Sequence, residues 1–188
     1  MKNNFFITGL PRSRTSWLAN FFTYNSSFCY HEATRFCTNI RDLKELMGNH
    51  TAINIGNADP AMLYIMNDAL KAFPGAKVVL IERELHETID SFIDFYTSYE
   101  YNRIQEWIEY MFEMMEKVKQ KYDVLTVRHD ALNKMEECKK LWNYLLPDEP
   151  FDEKRWNLLD ELYINKLVDK HSVHVMKKSL YHRYIHFY

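Results

Sequence analysis

The chain has 188 residues, of which 47% are hydrophobic, and its 24 basic and 26 acidic residues leave a formal net charge of −2. This size and composition suit one compact domain with a substantial core and leave no room for a second domain. The nearly balanced charge argues against broad electrostatic binding to nucleic acid, so a small molecule or a localised chemical group is the expected partner.

Short apolar segments alternate along the chain with longer segments of helical periodicity. Strands are predicted near residues 4–8, 28–31, 52–55, 77–82 and 123–127. Helices are predicted near residues 15–24, 39–47, 60–72, 86–97, 102–121, 130–145 and 151–167. This alternation predicts a three-layer α/β/α fold in which helices cover both faces of a central parallel sheet. One domain is expected over residues 1–168, with a C-terminal extension rich in His and aromatic residues packed on it over 169–188.

The first predicted strand runs directly into a turn that opens the first helix, over residues 5–17 (FFITGLPRSRTSW). A helix that begins at such a turn directs unpaired backbone N–H groups and the positive end of its dipole into the turn, so an anion is the expected occupant. The Walker A pattern requires glycine and lysine at the positions where this chain has Arg14 and Thr15. The positive charge lies upstream instead, at Arg12.

A second candidate site follows the strand predicted near residues 77–82. Arg83 leaves the carboxyl end of that strand and Ser91 lies about two turns along the next helix, so both side chains can face one crevice. The planar guanidinium suits a phosphate, and each charge-assisted hydrogen bond is worth about 1.5–3 kcal/mol. A salt bridge between Arg83 and a neighbouring glutamate is the alternative.

The turn at residues 11–18 (PRSRTSWL) resembles the P-K/R-S-G-T-T/S-W-L loop with which sulfotransferases hold the 5′-phosphosulfate of PAPS, 3′-phosphoadenosine 5′-phosphosulfate. Arg83 and Ser91 are similar in kind and spacing to the Arg and Ser with which that family binds the 3′-phosphate. Further likeness extends the resemblance from residue 5 to about residue 160. The resemblance implies a P-loop NTPase-like sulfotransferase fold. It also implies that the protein is a small, bacterial- or phage-like member of the sulfotransferase family.

The resemblance also implies which residues hold the donor. They are Arg12, Ser13, Arg14, Thr15, Ser16, Trp17, Arg83 and Ser91. Arg12 would in addition offset the charge on the leaving phosphate. Arg14 replaces the family's Gly, so backbone strain is expected if its φ is positive.

Two further departures concern the cations and the cover of the site. Ala58 stands where many members place Lys. No Gly follows Gly75, so the Gly-rich loop with which many eukaryotic members close over the donor is not expected in its usual form. Weaker donor binding, a different covering segment or an anion other than PAPS would each fit this departure.

Sulfuryl transfer also requires a base that takes the proton of the attacking group. Some sulfotransferases use a His and others a Glu on the segment after the first helix, and that segment ends here in His31 and Glu32. We expect Glu32 to be the base, with His31 second and Asp59 third. Burial beside the turn that is expected to bind an anion can raise the pKa of a carboxyl group, which favours Glu32. An ion pair of Glu32 with Arg35 or Arg14 is the structural alternative.

The reaction implied is transfer of a sulfuryl group from PAPS to a hydroxyl or amine of a small-molecule or carbohydrate acceptor, with PAP as the bisphosphate product and no metal. A P-loop nucleotide or small-molecule kinase remains an alternative, although the absent Walker Lys counts against it. A catalytically silent nucleotide- or anion-binding module is the second alternative. No feature of the sequence indicates the acceptor or the oligomeric state.

The remaining signals concern compartment and metals. No apolar segment is long enough for a signal peptide or a membrane span, and the three cysteines form no CxxC pair, so a cytoplasmic protein with reduced thiols is expected. The spacing of Cys29, His31 and Cys37 matches no common zinc pattern. The segment 170–188 carries four His, which fits a terminal helix, metal capture, phosphate contact or a subunit interface.

Overall fold

Five strands form a parallel sheet in the part of the chain that the computed structural model describes, residues 2–95 and 100–161. The strands are β1 (Asn3–Gly9), β2 (Ser27–His31), β3 (Asn54–Ala58), β4 (Lys77–Glu82) and β5 (Leu125–Arg128). Their order across the sheet is β2-β3-β1-β4-β5, and every neighbouring pair is parallel. The carboxyl ends of all five strands therefore lie along one edge.

Helices connect these strands and cover both faces of the sheet. Within the described residues they are α1 (Thr15–Phe21), α2 (Ile40–Asn49), α3 (Met62–Ala72), α4 (Leu85–Phe95), α5 (Tyr101–Lys121), α6 (Met135–Leu145) and α7 (Glu153–Glu161). Two 3₁₀ turns, Ala33–Phe36 and His129–Asn133, follow β2 and β5. The predicted α/β fold with a central parallel sheet is confirmed, while the predicted extension over 169–188 lies outside the described residues.

Side chains of the two central strands alternate between two cores. Phe6 of β1 and Leu80 of β4 pack on one face with α2, α3, α4 and α5. Ile7 and Ile81 pack on the other face with α1, α6 and α7. Because successive residues of a strand point to opposite faces, a strand between two helical layers is apolar throughout. None of the helices in the described residues combines the length and apolar character that a membrane crossing requires.

The third strand lies further along the chain than the sequence predicted. It begins at Asn54 and ends at Ala58, whereas the prediction was residues 52–55. Gly56 belongs to the strand because the ring of Phe5 packs directly on its backbone: a Cβ atom at residue 56 would lie 2.1 Å from a carbon of that ring. Glycine inside a strand marks such a close approach, and the predicted strand ended one residue before this glycine.

The helix predicted near residues 130–145 is also interrupted. A 3₁₀ turn over His129–Asn133 is followed by Lys134 in an extended conformation, with φ −109° and ψ 121°, and α6 begins only at Met135. The backbone N–H of Lys134 donates to the carbonyl oxygen of Ala131 at 2.9 Å, which closes the turn separately from the helix. Neither glycine nor proline marks this break in the sequence.

The close pairing of β1 with β4 determines where the functional residues meet. Gly9 lies opposite Ile81 in the register of these strands. A Cβ atom at residue 9 would lie 2.4 Å from the carbonyl oxygen of Ile81, so a larger residue would separate the two strands at their carboxyl ends. The pairing therefore places the turn after β1 beside Arg83, the residue that follows β4.

Candidate active site

The turn between β1 and α1, residues 10–14, is called the anion turn below and has an unusual backbone. Arg12 and Arg14 have φ values of 66° and 59°, in the left-handed region that favours glycine. Arg14 directly precedes α1, so the strain expected at this departure from the family pattern is present. Each left-handed residue with a side chain costs about 1–2 kcal/mol, and such a conformation persists only where surrounding contacts hold it.

Contacts from the second candidate site hold this turn. Nη1 of Arg83 donates a hydrogen bond of 2.6 Å to the backbone carbonyl oxygen of Arg12. Nε of Arg12 donates a longer bond, 3.4 Å, to the hydroxyl of Ser91 on α4. The structure thus brings together Arg12, Arg83 and Ser91, which come from three separate elements and were predicted to bind opposite ends of one donor molecule.

Arg83 is partly withdrawn from solvent, with 15% of its side chain exposed. Burial lowers the pKa of its guanidinium, and the Glu87 carboxylate, 3.8 Å from Nε, opposes that shift. Buried Nε has no hydrogen-bond partner within residues 2–95 and 100–161. The predicted salt-bridge alternative therefore exists only as a long contact with an exposed carboxylate, and a donor of Arg83 remains for an anion.

Hydroxyl groups line the same turn. Ser13 is fully buried, and its Oγ lacks a hydrogen-bond partner among the described residues. The hydroxyls of Thr15 and Ser16, in the first turn of α1, lie 3.4 Å and 3.0 Å from Nε2 of His31. Since an unpaired buried hydroxyl is costly, Ser13 fits a turn built to surround a polar ligand.

The two leading candidates for the base lie at the end of β2. Glu32 is 12% exposed, has a φ of 52° and forms an ion pair with Arg35, so the structural alternative for this residue is present. Burial raises the pKa of Glu32, against the opposing effect of Arg35. Burial lowers the pKa of His31 to about 4, so the ring is neutral at pH 7. Nε2 of His31 and Oε1 of Glu32 are 3.8 Å apart.

Asp59 supports the backbone around this site. The carboxylate is fully buried and accepts hydrogen bonds from the backbone N–H groups of Thr34 and Ala61, at 3.1 Å and 2.8 Å, and from the hydroxyl of Thr34 at 2.6 Å. Burial and the nearby charge of Glu32 raise its pKa. These bonds fix the turn after β2 and the start of α3, which is a structural role.

Trp17 is packed inside the protein. It is 3% exposed, stacks on Phe21 with ring centroids 4.8 Å apart, and donates from Nε1 to the carbonyl oxygen of Leu159 on α7 at 3.1 Å. The guanidinium carbon of Arg14 lies over the indole ring, 4.5 Å from its centroid. Trp17 therefore joins α7 to the helix that carries the anion turn and supports the side chain of Arg14.

The sequence did not single out two residues of the turn after β5. Oδ1 of Asn133 accepts a 2.7 Å hydrogen bond from Nη1 of Arg14. The pKa of His129 is lowered to about 4 by burial first, and then by the charges of Arg83 and Arg14. One signal could have identified this turn: it follows a parallel strand at the edge of the sheet where ligands bind.

This geometry defines an α/β protein whose first strand leads through a strained turn into a helix, with Arg83 at the end of the neighbouring strand bonded to that turn. Within the described residues no group of three or more His, Cys, Asp or Glu side chains could hold a metal ion. The sulfotransferase domain family matches residues 6–178. Because the match covers most of the chain, the protein belongs to this family and is a sulfotransferase.

Solved structures share the fold at low sequence identity. Mouse sulfotransferase SULT7A1, crystallised with PAP, matches with a TM-score of 0.60 and 14% identity over 89% of this chain and 67% of its own. Sulfotransferase STF9 from Mycobacterium avium matches with a TM-score of 0.57 and 10% identity over 96% of this chain and 72% of its own. None of the curated proteins matches the sequence. At these identities the structural likeness shows the fold.

Proposed function

We propose that the protein transfers a sulfuryl group from PAPS to a hydroxyl or amine of a small-molecule or carbohydrate acceptor, without a metal. The meeting of Arg12, Arg83 and Ser91 carries this proposal. One cationic position lies at the head of α1 and the other at the end of β4, so a ligand with two phosphate-type groups is the natural occupant of both. The mouse neighbour was crystallised with PAP, which is such a ligand.

Each end of the donor has its own set of groups. The backbone N–H groups at the start of α1 and the hydroxyls of Thr15 and Ser16 bind the 5′-phosphosulfate. Arg83 and Ser91 bind the 3′-phosphate. Arg12 lies beside the leaving phosphate and offsets the charge that develops on it, which is where a positioned cation lowers the barrier most.

The attacking hydroxyl or amine loses its proton to Glu32. Burial raises the proton affinity of this carboxyl group, while Arg35 keeps it ionised until the acceptor arrives. His31 is the second candidate, because its ring is neutral at pH 7 and contacts hydroxyls of the anion turn. The sulfur–oxygen bond to the donor phosphate breaks as the bond to the acceptor forms, and PAP departs as the bisphosphate.

Ligand-dependent melting tests the choice of donor. A ligand that binds only the folded state at 100 times its Kd stabilises by about 2.7 kcal/mol. PAP should therefore raise the melting temperature more than ATP with Mg²⁺ at the same concentration. Larger stabilisation by ATP would favour a kinase.

Transfer of labelled sulfate from PAPS to a panel of phenols, sugars and amines then distinguishes an enzyme from a silent binding module. A silent module would bind PAP without turnover.

A further inference from the structure

A cavity of about 450 Å³ lies between α3 and α5 and is called the α3–α5 cavity below. Leu63, Met66 and Val118 contribute apolar surface to it, and all three are buried in the core beneath these helices. Its lining, drawn from the described residues, includes none of the residues proposed to bind the donor or to act as the base. The volume falls within the range of about 300–1,000 Å³ that is typical of small-molecule sites.

Two hydrogen bonds restrain side chains that line the α3–α5 cavity. Nε1 of Trp107 on α5 donates to the hydroxyl of Tyr64 on α3 at 3.0 Å. The hydroxyl of Tyr122, which directly follows α5, donates to Oδ1 of Asn67 on α3 at 3.1 Å. Tyr64, Asn67 and Tyr122 all line the cavity. Because these side chains are held by contacts across the two helices, less ordering remains to be paid for when a ligand binds.

The charges at the α3–α5 cavity are of one sign. Its lining includes Lys117 and Lys121 but, among the described residues, no Asp or Glu. Nζ of Lys121 lies 3.5 Å from Oδ1 of Asn67 and 5.2 Å from the centroid of the Tyr122 ring, and both of these groups are neutral. Nζ of Lys117 lies 4.0 Å from a carboxylate oxygen of Glu113, and both side chains are exposed. Such an exposed ion pair contributes little in water, so an anion at the cavity can compete for Lys117.

We propose that the α3–α5 cavity is a second binding site, for a small organic anion that combines an apolar body with one sulfonate, sulfate or carboxylate group. The apolar body contacts Leu63 and Met114, and the acidic group lies at Lys117 and Lys121. A mainly apolar lining with a few polar groups that fix the orientation of the ligand is typical of such sites. The inference does not depend on the identity of the sulfuryl donor, because the two sets of residues do not overlap.

Two dyes that differ by one acidic group test the role of the lysines by fluorescence titration of the full chain. The probes are 8-anilinonaphthalene-1-sulfonate and its uncharged counterpart N-phenyl-1-naphthylamine. We expect Lys121→Ala to raise the Kd of the sulfonate by about threefold to tenfold and that of the uncharged dye by less than about twofold. Lys44→Ala, which removes an exposed lysine of α2, is the matched control and should change neither. Absence of saturable sulfonate binding, an unchanged sulfonate Kd in Lys121→Ala, or equal losses for both dyes would overturn the inference.

Met114→Glu and Met114→Gln test whether the dye lies in the cavity itself. Met114 is a half-buried lining residue of α5, and both replacements are good helix formers of similar shape. The carboxylate repels the sulfonate and pairs with the lysines, so we expect the Kd of the sulfonate to be higher by about tenfold or more in the Glu variant than in the Gln variant. The uncharged dye should bind both variants alike. Equal affinity of the two variants for the sulfonate would overturn the inference. Melting temperatures without ligand show whether each variant is folded.

Titration in the presence of PAP separates this site from the proposed donor site. Saturating PAP should leave the Kd of the sulfonate within about twofold of its value without PAP, because no proposed donor-binding residue lines the cavity. Displacement of the dye by PAP would show that the dye occupies the donor crevice and would overturn the inference. If the wild-type protein does not bind PAP, the proposed donor is wrong, and the Lys121 and Met114 variants alone decide whether the second site exists.

Discussion

Arg83 donates from Nη1 to the backbone carbonyl oxygen of Arg12 at 2.6 Å. This bond ties the carboxyl end of β4 to a residue whose φ is 66°, a conformation that an L-residue keeps only where contacts hold it. Arg83 therefore stabilises the anion turn in addition to its proposed contact with the ligand. Removing its side chain should affect both ends of the donor site, to different extents.

For Arg83→Ala we expect the affinity for PAP to fall by about tenfold or more, since charge-assisted hydrogen bonds are lost. The affinity for a nucleotide without the 3′-phosphate should fall less, because that ligand loses only the support of the turn. Titration of both ligands measures the difference. Ser91→Ala is the milder companion variant and should weaken PAP alone. If Arg83→Ala lost the same affinity for both ligands, the proposed contact between Arg83 and the 3′-phosphate would be wrong.

Glu32→Gln should separate binding from chemistry. The amide keeps the shape of the side chain but cannot accept the proton, so we expect turnover to fall by about 100-fold or more while the Kd for PAP changes little. The assay is transfer of labelled sulfate from PAPS under saturating donor. His31→Gln provides the comparison. If turnover survives in Glu32→Gln and falls in His31→Gln, the base is His31.

Arg14→Gly and Arg14→Ala remove the same guanidinium contacts and differ in the backbone. Residue 14 has a φ of 59°, which glycine adopts without the steric cost that alanine retains. We therefore expect the glycine variant to be more stable than the alanine variant by about 1 kcal/mol. Urea unfolding of the two proteins measures this. Equal midpoints would show that the turn relaxes when the arginine side chain is absent.

The contributions of His31 and His129 to the stability of the protein should decrease as the pH falls from 6.5 towards 4. The pKa values of His31 and His129 are lowered to about 4 in the folded protein, from an ordinary value of 6.5, so the unfolded chain binds more protons in this interval. Glu32 and Asp59 have raised pKa values and act in the opposite direction. Comparing His129→Gln with the wild-type protein isolates one histidine.

The expected result for His129→Gln is a shallower loss of stability between pH 6.5 and pH 4, measured by denaturant unfolding at several pH values. Above pH 7 the histidine is neutral in both states, so the pH slope of the two proteins should be the same there. His86→Gln, on the first turn of α4, is a control for the loss of a histidine. Parallel curves for His129→Gln and the wild-type protein across the acid range would contradict the lowered pKa.

The sequence predicted the order of elements and the place where the site forms. Strands β1 and β4 were recognisable because both are continuous apolar runs between helical layers. Their carboxyl ends lie at one edge in any parallel sheet, so the approach of Arg12 to Arg83 and Ser91 could be expected before the structure was known. Local patterns together with the rule for parallel sheets were sufficient for this part of the site.

Contacts between segments that share no pattern could not be predicted. Arg14 and Asn133 are 119 residues apart, and Asn133 lay inside a segment predicted to be helical. The position of β3 was wrong for a related reason, because Gly56 is accommodated by the ring of Phe5 rather than by a local turn. In both cases a tertiary neighbour decided the outcome, and a single sequence does not reveal that neighbour.

Gly9 leaves no space for a Cβ atom beside the carbonyl oxygen of Ile81. The interval between the two proposed phosphate-binding positions is consequently set by main-chain atoms, at the spacing of two hydrogen-bonded strands. Exchanges of side chains elsewhere in the crevice should therefore leave that interval unchanged. Engineering of the protein towards new acceptors can therefore proceed separately from its selectivity for a nucleotide of one particular length.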